Sequence, residues 1–332
     1  MAARNTPALV ISLDFELYWG VRDHLELNAY KENILGVRQA VPALLELFAG
    51  YGIHATWATV GFLFCRNREE ILASVPDLKP HYVDGRLSPY DSFVQVGADE
   101  SDDPFHYAPS LIAMIAKAPF QEIGTHTLSH YYCLEPERDA EAFRADLRAA
   151  QKLAAKWKIQ LKSIVFPRNQ YNDQHLAVCR ELGILAYRGN ECSWIYEGRS
   201  WRQERAARRL LRLLDAYVNL TGEHSFSVSP GQLCNIPSSR FLRPYSGSLK
   251  VLEGMRLRRI LNGLDYAANR GQAYHLWWHP HNFGRQLPEN LAFLEKILEH
   301  FAKLRQSHGM ESLNMGELAA RVGFETPAGA SA

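Results

Sequence analysis

The chain has 332 residues, 47% of them hydrophobic, and 37 basic against 36 acidic side chains give a formal net charge of +1. That is enough chain to bury a sizeable core, and so small a net charge argues against a general nucleic-acid binder. No stretch approaches the roughly 18 apolar residues of a membrane span, and the apolar run in MAARNTPALVISLDFEL is about five residues long, too short for a signal peptide, so the expected location is cytoplasmic.

In chain order, short apolar runs with strand character alternate with longer helical patterns. The runs are 8–14 (ALVISLD), 54–61 (HATWATVG), 121–126 (QEIGTH), 162–167 (KSIVFP), 184–189 (ILAYRG), 273–279 (AYHLWWH) and 310–314 (MESLN). Between the first two, residues 33–49 place Val37, Val41, Leu44, Leu45 and Phe48 on one stripe that stops at Gly50. Residues 138–157 repeat the pattern with Phe143, Leu147, Ala150 and Leu153. Such alternation predicts an α/β fold with a parallel sheet, and seven or so units favour a distorted (β/α) barrel. Residues 1–325 then form one domain. Two stretches break the rhythm and read as insertions, about 80–110 and about 195–250, the second holding an arginine-rich helix with Arg202, Arg205, Arg208, Arg209 and Arg212. The small-residue tail 326–332 reads as frayed. Five scattered cysteines, odd in number and without a CxxC, read as reduced structural thiols.

Polar side chains sit at the C-terminal ends of the apolar runs, the face on which barrels build active sites. They are Asp14 and Glu16, His126 and His130, Arg168, and His279 and His281. Two histidines four apart on a helical turn project from one face and can bite one ion, and a zinc-like ion also takes a carboxylate. Asp14 and Glu16, separated by one residue, face the same way on an extended path, so one can bind metal while the other serves as a base. Arg168, directly after IVFP, needs an anionic partner, for which Asp14 is a candidate. His279 ends its run directly and is favoured over His281 as the proton donor. His24, His54, His81, His106 and His275 have no such setting.

These motifs resemble those of the NodB-type polysaccharide deacetylases, the fourth carbohydrate esterase family, over roughly residues 8 to 320. Ser12-Leu13-Asp14-Phe15-Glu16 resembles the first motif, with Phe15 where an acid often follows the base. His126-Thr127-Leu128-Ser129-His130 matches H-[ST]-x-x-H. Arg168-Asn169-Gln170-Tyr171 is similar to R-x-P-Y with Gln for Pro, and Leu276-Trp277-Trp278-His279 resembles the last motif. The resemblance implies a barrel of about seven strands and one divalent metal ion, Zn2+ in the first instance, on Glu16, His126 and His130. It also implies Asp14 as base, Arg168 orienting it, the Tyr171 N–H as an oxyanion donor and His279 as acid.

The implied reaction is removal of an N-acetyl or N-formyl group from an amino sugar. A cytoplasmic setting points to a surface-polysaccharide precursor, nucleotide- or polyprenyl-phosphate-linked, as in O-antigen or capsule assembly. Trp19, Tyr131, Trp194, Trp278, His281, Arg243 and Tyr245 are candidate substrate contacts, and the arginine-rich helix is a candidate for phosphate or for peripheral membrane contact; an ordinary amphipathic helix with a solvated basic face is the plainer reading. Two other classes stay open: a metal-dependent hydrolase of another amide or a phosphoester, and a glycan-binding protein without catalysis.

Overall fold

The computed structural model describes residues 6–135, 140–200, 203, 205–228 and 231–324. Arg202 and the tail therefore lie outside the described residues. Among the described residues, nine parallel strands make one sheet. They are β1 (Ala8–Phe15), β2 (Ala55–Thr59), β3 (Gln121–Thr125), β4 (Ser163–Ile164), β5 (Ala186–Tyr187), β6 (Cys234–Asn235), β7 (Arg240–Phe241), β8 (Ala273–Trp278) and β9 (Glu311–Leu313). Eight follow the order β6-β5-β4-β3-β2-β1-β8-β7, and β9 pairs with residues 8–10 of β1, just before β2 takes over at Ile11. All eight residues of β1 are buried, because β1 is central and both faces are covered, which is why it reads as a continuous apolar run.

The count differs from seven because β6 and β7 lie in CNIPSSRF, a polar, proline-bearing segment with no apolar run to mark them. Both lie inside the stretch read as the second insertion. That stretch therefore supplies part of the barrel wall. Its residues 234–242 cross from one sheet edge to the other. Cys234 and Ile236 donate backbone N–H groups to Leu185 and Tyr187 beside β5, while Ser239 and Leu242 donate to His275 and Trp277 of β8. One short segment thus ties together the two edges that an open sheet would expose.

The long helices cover the sheet as their apolar stripes require. Helix Leu27–Tyr51 buries Ile34, Val37, Val41, Leu44 and Phe48. It runs past Gly50 and ends on Gly52 at φ 61, a left-handed cap. Helix Ala140–Lys156 buries Phe143, Leu147, Ala150 and Leu153, and also Asp146. Gly36 and Gly284 let the first helix and the loop after β8 meet backbone to backbone: a Cβ on Gly36 would lie 1.9 Å from the Gly284 carbonyl oxygen. That contact, with Asn33 Nδ2 donating to the His281 carbonyl at 3.2 Å, fixes the loop bearing His279 and His281. The first insertion packs on the same end of the barrel, where the His106 carbonyl accepts from Trp19 Nε1 at 2.8 Å and Phe93 meets both Trp19 and Phe62.

Candidate active site

The C-terminal ends of β1, β3, β4, β5 and β8 converge on a cleft of about 440 Å³, lined among others by Asp14, Glu16, His126, His130, Arg188 and His279. Asp14 is the penultimate residue of β1. Glu16 follows the strand, and Leu17 at φ 47 then turns the chain into the short 3-10 helix Leu17–Gly20. Gly20 leaves room for the Glu16 carboxylate: a Cβ there would stand 2.0 Å from the carboxyl carbon.

The two motif histidines are not on a helix. Residues 126–133 form an irregular loop in which Thr127 (φ 65) and His130 (φ 59) are left-handed, a conformation that non-glycine residues hold only when their surroundings impose it. Here the surroundings do. Thr125 Oγ1 accepts from the Thr127 N–H at 3.0 Å, and Thr127 Oγ1 accepts from the Tyr131 N–H at 2.7 Å. Buried Asp146 accepts from the Leu128 N–H at 2.7 Å and from the Ser129 hydroxyl. Thr127, at the [ST] position of the motif, and Ser129 are what bend it.

Glu16, His126 and His130 each offer one ligand atom within 4.8 Å of the others, all buried. The Glu16 Oε2 atom lies 3.3 Å from His126 Nε2 and 3.1 Å from His130 Nε2. His126 Nδ1 lies 2.8 Å from the Val165 carbonyl oxygen. A carbonyl only accepts, so Nδ1 donates there, which orients the ring with Nε2 toward the carboxylate. A metal ion would fit between this Nε2 and the carboxylate, since a ring oriented by a backbone carbonyl on its far nitrogen is the usual support of a metal-binding histidine. The donor set, two imidazoles and one carboxylate, suits a zinc-like ion with a position left open. Burial would raise the Glu16 carboxyl, but His279, His126 and His130 more than offset it and hold it well below the usual range. Burial lowers His130 to about 4, with the Glu16 hydrogen bond opposing, so the ring is neutral and able to ligate.

The partner of Asp14 is Arg188, not Arg168. The Arg188 Nη1 and Nη2 atoms donate to the two Asp14 oxygens at 2.6 and 2.7 Å, both side chains buried. Nη1 also reaches Ser12 Oγ at 3.1 Å, which His275 Nε2 meets at 2.9 Å, and Nη2 reaches Asn169 Oδ1 at 3.0 Å. Burial pushes the Asp14 carboxyl up, and the Arg188 charge and hydrogen bonds outweigh that and leave it lowered. Arg168 misses Asp14 because Arg168 (φ 55) and Asn169 (φ 53) turn left-handed after β4. The turn sends the guanidinium to Asp23 and over the Tyr132 ring, 4.3 Å from its centroid. It still lines the cleft. Arg188 ends the run ILAYRG, so the strand-end rule that selects Arg168 selects it equally.

His279 Nε2 lies 3.8 Å from Asp14 Oδ2 and 3.6 Å from Glu16 Oε1, with its side chain 23% exposed. His281 stacks on it with ring centroids 4.9 Å apart, but is buried, and burial followed by the charge of His279 lowers it to about 3. A ring held neutral cannot donate a proton as an acid near neutrality, so geometry and charge favour His279. Tyr171 packs its ring against Phe166 and Tyr187. The Gln170 that stands in place of proline is buried, donating to Glu135 Oε1 and the Arg199 carbonyl at 2.8 Å each.

Among the candidate substrate contacts, His281 lines the cleft and Arg243 lines an adjoining pocket of about 200 Å³ with Arg212, Phe241 and Trp277. Trp277, under the Arg188 guanidinium at 4.0 Å, lines both. Trp19, Tyr131 and Trp278 are wholly buried core: Trp19 packs on Phe62, Tyr131 on Phe143, and Trp278 stacks on Phe283. Being large and apolar, they fill the space behind the strand ends. Trp194 is exposed but does not line the cleft, and Tyr245 contributes its backbone N–H to Asn290 Oδ1 at 2.7 Å.

The sequence profile of the polysaccharide deacetylase family matches residues 31–187, just under half of the chain. The whole fold is similar to that of a provisionally assigned polysaccharide deacetylase from Mycobacterium smegmatis (17% identity, 97% of this chain and 92% of that one, TM-score 0.58). A provisionally assigned polysaccharide deacetylase from Pseudomonas aeruginosa PAO1 (11% identity, 96% and 92%, TM-score 0.56) and Puue allantoinase (12% identity, 96% and 91%, TM-score 0.56) share it. No curated protein matches the chain.

Proposed function

We propose that the protein is a metal-dependent N-deacylase acting on an amino-sugar precursor of bacterial surface polysaccharide, such as O-antigen or capsule. The observation that carries the reading is Asp14, paired with Arg188 and 3.8 Å from His279, beside the Glu16–His126–His130 cluster. The match over residues 31–187 supports deacetylase chemistry. A zinc-like ion held by Glu16, His126 and His130 would lower the pKa of a water and polarise an amide carbonyl. Asp14, kept ionised by Arg188, takes the proton of the attacking water. His279, on the cleft side, gives a proton to the departing sugar nitrogen, and the Tyr171 N–H is the candidate donor to the oxyanion. The products are the free amine and acetate, or formate from a formyl substrate.

Arginines on the cleft wall (Arg168, Arg199, Arg209 and Arg212) support a phosphate-bearing substrate, nucleotide- or polyprenyl-phosphate-linked, met in the cytoplasm or at the inner membrane face. A two-metal phosphoester site is disfavoured, since the described residues hold one cluster of ligands. The test is acetate and formate release from N-acyl amino sugars with and without a phosphate, beside Asp14→Asn. The reading predicts release that favours the phosphorylated sugars, and a loss of about two to four orders of magnitude in the variant with metal retained. Full activity in Asp14→Asn would refute the assignment of the base.

A further inference from the structure

The helix Ala206–Asp215 is turned against the usual sense of a surface helix. Its polar face points inward. Arg208 is buried and donates to the Trp194 and Glu197 carbonyls at 2.6 and 3.1 Å. Arg212 donates to the Ile195 carbonyl at 3.0 Å and lines the cleft with Arg209. Asp215 is buried on Arg240 at 2.6 Å. Its apolar face points outward: Leu210 and Leu214, four residues apart, are 56% and 46% exposed, followed by Val218 at 48% and Leu220 at 51%. A helix whose surroundings are water shows the reverse arrangement. Arg208 and Arg212 are thus turned from solvent, and among the described residues nothing covers Leu210 and Leu214.

We infer that this face docks on an anionic phospholipid bilayer. Arg205 and Arg209, both exposed, flank the leucines on the same element, the composition of a helix that lies in a membrane interface with apolar side chains in the acyl boundary and cations among the headgroups. A second copy of the chain fits less well. A two-fold contact brings the same patch of both copies together and so gathers the exposed Arg205 and Arg209 of each into one interface, whereas anionic headgroups neutralise them. The same helix lines the cleft with Arg209 and Arg212, so docking brings the cleft within about a helix diameter of the lipid surface. If the proposed function holds, the phosphate on its substrate then belongs to a membrane-anchored carrier; that consequence rests on the functional reading, but the docking itself does not.

The test is co-sedimentation of the full chain with phosphatidylcholine vesicles with and without phosphatidylglycerol, beside Leu210→Glu/Leu214→Glu. Val94→Glu, a change at a residue 84% exposed elsewhere, serves as control. The inference predicts partition onto the phosphatidylglycerol vesicles, weakened by salt, reduced about tenfold or more by the leucine variant and unaffected by the control. No partition, or equal partition of the leucine variant, overturns it. So does a wild-type dimer in light scattering that the leucine variant converts to monomer, which would assign the face to a second copy. Vesicle binding needs no turnover, so failure here leaves the deacylase reading standing.

Discussion

Two residues define what the site can do. Arg188 sets the charge of Asp14, so removing it raises the carboxyl's pKa toward what burial alone would impose. Arg188→Gln should move the acid limb of the pH–rate profile upward by about one unit or more, while Arg168→Gln, whose partner is Asp23, should leave that limb in place. The opposite ranking would restore Arg168 as the positioning residue. Gly20 sets the seat of Glu16. In Gly20→Ala the new methyl overlaps the carboxylate, and metal affinity measured by titration should fall by about tenfold to a hundredfold in a chain that still folds. At this scale the sequence placed at the cleft polar residues that close a long apolar run, as with Asp14, His126 and His279. It was misleading for Arg168, because the left-handed turn at Arg168 and Asn169 has no glycine to announce it. Trp19, Tyr131 and Trp278 stand next to motif residues in the chain and point away from them in space, which adjacency alone does not reveal.

Among the elements, helix Asp173–Glu181 bears a buried His175 whose edge meets Phe143 at 4.9 Å between centroids. Burial lowers it from 6.5 to about 4. Between those values the unfolded chain binds a proton that the folded chain does not, so stability falls as pH falls from 6.5 toward 4. The difference comes to about 2 kcal/mol between pH 7 and pH 5. Urea unfolding of wild type beside His175→Leu at both pH values checks it: the variant should lose that part of the pH dependence, and an unchanged slope would contradict the assignment. The element pattern of the sequence located the long helices because burial requires their stripes. It overlooked β6 and β7 because CNIPSSRF carries no apolar run, unlike the runs around the equally short β4 and β5. The HxxxH spacing suggested a helical turn; side-chain hydrogen bonds from Thr127, Ser129 and Asp146 bend it into a loop instead, a pairing across 17 or 18 residues.

For the molecule as a whole, the ligands come from β1 and the loop after β3, so an ion bound there links segments far apart in the chain and should stabilise the folded state. At a free concentration about a hundredfold above Kd the gain is about 2.7 kcal/mol, a rise of a few degrees in Tm for a chain of this size. Glu16→Ala should abolish the rise, and an equal rise in that variant would place the ion elsewhere. The barrel was legible from alternation alone, since each apolar run must pair with the next. Its closure by residues 234–242 was not, because that segment divides its hydrogen bonds between β5 and β8, and neither half is long enough to be read as a strand.

The most direct measurement is the metal content of the purified protein by mass spectrometry, wild type beside Glu16→Ala and His130→Ala. Near one zinc-like ion per chain, lost in both variants, is the predicted result and establishes the cluster on which the deacylase reading depends. A wild type that takes up no ion even after reloading would contradict it and favour a glycan-binding protein built on the same barrel.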